Sequence, residues 1–153
     1  MNIEKDKFII VEVIPTSINP EVGDIAQLSA LKINGLKLED RFDYRLEKKR
    51  IKIPDILKIT NYDNESFTYA KTTIKIKNEF KKFVSDLPLL IIDNTYTNNY
   101  LDYLNNKKES VFKYLDLEVS NDVFDKLIKK YDLEPSNYLV DLLYEALIKE
   151  SNN

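Results

Sequence analysis

The sequence predicts an α/β domain: a mixed sheet, built from a three-stranded antiparallel meander plus parallel strands, flanked by helices. Three observations carry that prediction. Residues 8–13, Phe8-Ile9-Ile10-Val11-Glu12-Val13, are apolar and β-branched with one carboxylate among them, the pattern of a strand buried on both faces. Asn34-Gly35 separates two further extended runs. That dipeptide is a strong hairpin signal, because a type I′ turn needs positive φ at both central residues. Later, an apolar stripe at helical spacing precedes the short run Pro88-Leu89-Leu90-Ile91-Ile92. A strand that follows a helix is most simply placed parallel to the first strand through a crossover.

The elements follow in order. Glu12 lies inside the first strand, where an ionised group is costly unless a donor meets it. A loop with Pro15 and Pro20 leads to the second run, Asp24 to Ile33, and past the hairpin Phe42, Tyr44 and Leu46 alternate with polar residues as in a half-exposed strand. Arg45 to Lys52 is basic, readable as a solvated connector or as a phosphate-steering patch, and Pro54 suits the first position of a short helix. Thr72 and Thr73 offer caps for a helix with Ile76, Phe80, Phe83, Val84 and Leu87 on one face. After the strand at 88–92, Asp93, Asn94 and Asn98 fall at or beyond a strand end, where open α/β sheets place ligand sites. Tyr96, Tyr100, Leu101 and Leu104 mark another helix, and Val111 to Leu115 a further short strand. Ser120 caps a helix with Val123, Phe124, Leu127, Ile128 and Tyr131 inward. The last helix starts at Pro135-Ser136 and buries Leu139, Leu142, Leu143, Ala146 and Leu147. Residues 1–149 read as a single domain and 150–153 as a frayed tail.

Composition narrows the function classes. With 153 residues the chain can bury a core without disulfide or metal staples, and it has no cysteine. No long apolar stretch or leader is present, so a soluble cytoplasmic protein without membrane partners is expected. The formal net charge of −3 argues against a bulk nucleic-acid coat. There is no histidine, which removes the commonest general base and transition-metal ligand.

The order of elements and several local sequences resemble the DEDDh-type 3′–5′ exonucleases, a ribonuclease H-like family that includes the proofreading subunit of bacterial DNA polymerase III. Residues 12–20, Glu-Val-Ile-Pro-Thr-Ser-Ile-Asn-Pro, are similar to the family's Asp-x-Glu-Thr-Thr-Gly-Leu-x-Pro. Residues 25–35 resemble its hairpin, and residues 51–60 its Pro-initiated segment ending in Leu-Thr-Gly. Residues 92–98, Ile-Asp-Asn-Thr-Tyr-Thr-Asn, are similar to its His-Asn-x-x-Phe-Asp.

The resemblance implies a ribonuclease H-like sheet and a cleft where four carboxylates hold two divalent metals while a histidine assists the attacking water. Carried over one at a time, those five positions fall on Glu12, Ile14, Asn98, Leu143 and, for the histidine, Tyr138. One acid remains among them, and Asn98 offers only a neutral carbonyl. Magnesium wants anionic oxygens, so no intact catalytic set and no cofactor are expected. Glu12 is expected to be paired with a backbone or tyrosine donor or neutralised by a raised pKa, and Asp93 to cap a strand end. Asp141 lies almost opposite the apolar stripe of its helix, and is expected to be exposed rather than aimed at Glu12. The expected function is a degenerate, non-hydrolytic exonuclease-like module in DNA or RNA metabolism. It would bind a replication or repair protein, or single-stranded nucleic acid through Thr16, Asn94, Tyr96, Tyr100, Lys48, Lys49 and Arg50. The alternative is an active Mg- or Mn-dependent 3′–5′ exonuclease with rewired ligands, Glu12 and Asp93 with Asp102 or Asp141.

Overall fold

The computed structural model describes residues 6–15, 25–45, 73–92, 100–101, 112–113, 115, 119–134 and 138–152. Three strands come first: β1 (Lys7–Pro15), β2 (Ile25–Asn34) and β3 (Lys37–Arg45). Helix α1 (Thr73–Val84) leads to strand β4 (Leu89–Ile91), and helices α2 (Asn121–Tyr131) and α3 (Leu139–Ser151) follow. The sheet order is β3-β2-β1-β4, antiparallel across β1, β2 and β3 and parallel between β1 and β4. Beyond β4, the Leu89 N–H donates to the Lys113 carbonyl and the Leu115 N–H to the Leu89 carbonyl, each at 2.8 Å. Ile92 and Val119 form a parallel bridge. Lys113 and Leu115 therefore meet the outer edge of β4, although the described residues of 111–115 form no strand of their own.

The all-apolar reading of β1 has a direct cause. Alternate side chains point to opposite faces, and both faces are covered. Ile9, Val11 and Val13 pack with Ile76, Phe80 and Val84 of α1, while Phe8 and Ile10 pack with Val140, Leu143 and Ala146 of α3 and Phe124 of α2. The α2 start is as read, with the Ser120 hydroxyl accepting from the Val123 N–H at 3.3 Å. Val123 itself is 42% exposed rather than inward.

Two other expectations need correction. The hairpin turn is Gly35-Leu36, with φ of 56° and 70°, not Asn34-Gly35; Asn34 stays in the ladder opposite Lys37. The regular β1–β2 ladder holds Ile33 buried opposite Phe8 and Asn34 opposite Lys7, so Asn34 stays in the strand and the turn falls one residue on, with Glu39 taken up as a bulge in β3. The Tyr144 hydroxyl donates to the Leu36 carbonyl at 2.7 Å, so α3 pins the turn. Helix α3 starts at Leu139, later than Pro135-Ser136, and Val140 joins its buried face because that face meets both sheet and α2. At the other end α3 runs through Ser151, with Glu150 bonded to Lys130 at 2.7 Å. The expected caps at Thr72, the segment around Pro54 and the basic run 46–52 lie outside the described residues.

Candidate functional site

The sheet face that carries Phe8 and Ile10 changes character toward the C-terminal end of β1. Continuing the alternation on that face gives Glu12 and Ile14. Cross-strand register sets Glu12 opposite Ser29, Ile14 opposite Gln27, and Ser29 opposite Asp43. Directly opposed residues share a face, so a polar row, Glu12–Ser29–Asp43 with Gln27 beside it, crosses three strands. Glu12, Gln27 and Ser29 are buried.

Helix α3 begins over this row. The Leu139 N–H donates to Glu12 Oε2 at 3.1 Å, which satisfies one of the four amide donors that the first turn of a helix leaves open. A carboxylate is favoured there also by the positive end of the helix dipole. The cap residue Tyr138 makes no side-chain cap bond of its own; its hydroxyl instead donates to Asp43 Oδ2 at 2.8 Å. Asp43 Oδ1 accepts from the Ser29 hydroxyl at 3.3 Å, and Ser29 Oγ accepts from Gln27 Nε2 at 3.0 Å. Every donor in this chain of bonds is directed toward Asp43. At the rim, Arg41 lies 5.5 Å from the Tyr138 ring and grips Asp141 with both terminal nitrogens. A fork of this kind is the strongest geometry for an arginine–carboxylate pair.

Each sequence-derived candidate that is described has a definite place. Glu12 is bonded to the backbone of α3. Asp141 is half-exposed and held by Arg41, not turned to Glu12. Ile14 is half-buried beside Gln27, and Leu143 is fully buried in the core between sheet and α3. Tyr100, a candidate for base stacking, is corrected: it is fully buried among Ile76, Phe80 and Leu101, with no ring face open to a base. Thr16, Lys48, Lys49, Arg50, Asp93, Asn94, Tyr96, Asn98 and Asp102 lie outside the described residues. Gln27, Ser29, Arg41 and Asp43 were missed by the sequence reading. Gln27 and Ser29 had a signal, two polar residues at alternate positions within the apolar run 25–31, next to a strand that carries an acid; Arg41 and Asp43 had none.

These donors do not fit a two-metal centre. Two strand spacings, roughly 10 Å, separate Glu12 from Asp43, whereas paired catalytic ions sit about 4 Å apart and share ligands. Among the described residues no cluster of three or more acidic or other metal-ligating side chains is formed.

Neither a family model nor any curated protein matches the sequence. Solved structures do match. Product-bound exonuclease I superposes with a TM-score of 0.66 at 11% identity, covering 95% of this chain and 43% of that one. E. coli exonuclease I in complex with a dT13 oligonucleotide gives 0.66 at 11%, covering 95% and 40%. Cell-death related nuclease 4 gives 0.62 at 14%, covering 97% and 64%. The chain thus has an exonuclease-like, ribonuclease H-like fold, and it spans less than half the length of exonuclease I.

Proposed function

We infer that this chain is a non-hydrolytic exonuclease-like domain serving DNA or RNA metabolism as an interaction module, with a replication or repair protein or a single strand of nucleic acid as its partner. The observation that carries the reading is the bond from the Leu139 N–H to Glu12. The one acid left at the family's ligand positions caps a helix. Asp141, the nearest acid on α3, is engaged by Arg41, and leucine fills the position of the last carboxylate. Exonuclease I, with the same fold, is known in complex with a dT13 oligonucleotide and with SSB, and both partner classes are extended to this chain by that likeness of fold.

The test is incubation of the protein with magnesium or manganese and 3′-labelled single-stranded DNA and RNA. No turnover is expected. Hydrolysis that Glu12→Gln abolishes, in a variant that stays folded, would establish the alternative of a metal-dependent exonuclease with rewired ligands. A gel shift on the same strands across a salt series separates the partner classes: retention at low salt that falls steeply as salt rises supports nucleic acid. Absence of any shift leaves the protein partner, sought by pull-down with replication and repair proteins.

A further inference from the structure

We propose that β3 pairs edge to edge with β3 of a second copy, antiparallel about a two-fold axis through Phe42. Among the described residues β3 is an edge of the sheet. Residues 37–41 are exposed, and Leu38, at 44%, is one of the two exposed large apolar residues among those described. Apart from the ladder to β2, no backbone–backbone bond from Lys37–Phe42 leaves the strand among the described residues; the Arg41 N–H donates to Asp40 Oδ1 at 2.8 Å, a local contact that a second strand would replace. An open edge is a template for another strand.

Symmetry restricts how two copies can meet. An antiparallel two-fold pair has its axis normal to the sheet, which leaves every side chain on its own face. Because opposed residues share a face and faces alternate with period two, the axis must pass through a residue. The bulge at Lys32/Ile33 leaves Asp40 to Arg45 as the regular part of the strand, so an axis with two regular residues on each side passes through Phe42 or Asp43, while one at Arg41 or Tyr44 has a single regular residue on each side. An axis at Tyr44 pairs only three residues of each strand, and one at Arg41 also sets arginine against arginine. An axis at Asp43 sets aspartate against aspartate and Arg41 against Arg45. Like charges directly opposed are destabilising.

An axis at Phe42 sets Phe42 against its copy, Arg41 against Asp43 twice, and Asp40 against Tyr44 twice, with no like charges among them. An aromatic pair and two opposite-charge pairs are the favourable cross-strand types. Arg41 can serve both purposes, since Asp141 engages two of its five N–H donors. Among the registers that pair five regular residues of each strand, the charges therefore leave one open to a second copy, the isologous contact of a two-fold dimer. The inference stands whether or not the chain hydrolyses nucleic acid.

Sedimentation of the wild-type protein over rising concentration should show a reversible dimer, with amide exchange slowing selectively along β3 as the dimer forms. The chain has no cysteine, so single cysteines report register. Phe42→Cys, on the axis, should give a disulfide-linked dimer on air oxidation. Asp40→Cys, which faces Tyr44 of the other copy, should not. Because Phe42 packs against Phe80 and Phe83, the fold of that variant is checked by circular dichroism; if it is lost, the wild-type exchange pattern decides. A monomer at every concentration, protection gained elsewhere than β3, or cross-linking from Asp40→Cys as ready as from Phe42→Cys would overturn the proposal.

Discussion

Glu12 shows how a buried strand carboxylate is met by the start of a helix. A carboxylate on the central strand of this fold needs positive charge or hydrogen-bond donors around it, and here the Leu139 amide supplies a donor. Loss of a helix cap costs about 0.5–2 kcal/mol and an unmet buried group about 1–3 kcal/mol. Glu12→Ala is accordingly expected to lower unfolding stability by about 1–3 kcal/mol in a denaturant titration. Glu12→Gln keeps a carbonyl acceptor and should lose clearly less; equal losses would mean that the amide bond is not the source. Asp43 and Tyr138 are expected to be coupled by about 0.5–1.5 kcal/mol in a double-mutant cycle with Asp43→Asn and Tyr138→Phe. Additive losses would separate them. That pair spans 95 positions, and nothing in either local sequence announces it, which is why Asp43 escaped the reading while Glu12, conspicuous in its apolar run, did not.

At the scale of elements, the hairpin and the α2–α3 pair make the clearest demands. Leu36 holds a φ of 70° that costs a non-glycine residue about 1 kcal/mol. Leu36→Gly should raise stability by about 0.5–1 kcal/mol, while Asn34→Gly, inside the strand ladder, should lower it; thermal or chemical melting distinguishes the two. Lys130 bonds Glu150 across α2 and α3. The lysine, with a smaller contribution from Tyr131, pulls the Glu150 carboxyl below its ordinary range, and Glu150, again with Tyr131, raises the Lys130 ammonium above its own. A depressed carboxyl contributes stability above its unfolded value that is lost as pH falls through the folded one. A raised ammonium contributes stability below its unfolded value that is lost as pH rises through the folded one. The stability difference between wild type and Glu150→Gln should thus be present at neutral pH and close at both extremes. Both groups are exposed, so the difference will be small and will shrink with salt.

For the whole molecule, an ion that binds only the folded state raises its melting temperature with ion concentration. Magnesium or manganese is expected to leave the melting temperature unchanged; a rise that disappears in Glu12→Gln would place ions at the row of Glu12, Ser29 and Asp43. The architecture itself was legible because its signals are local and periodic. The apolar run of β1 with its single acid, the stripe of α1 and the short run before Asp93 each fix an element, and the parallel placement of β4 follows from the intervening helix. The turn falls one residue later than the dipeptide indicates because the β1–β2 ladder holds Asn34 opposite Lys7, a tertiary pairing that overrides the local signal. Tyr100 was misassigned because a tyrosine destined for the core looks the same in sequence as one left for a base. The bond between Glu12 and Leu139 also sets a timetable. It joins positions 127 residues apart, so during synthesis the first strand leaves the ribosome with an acid whose helix partner does not yet exist. A chain stopped before residue 139 carries that acid without the amide that caps it, and such fragments should be held open and cleared by proteases, however well their early strands can pair.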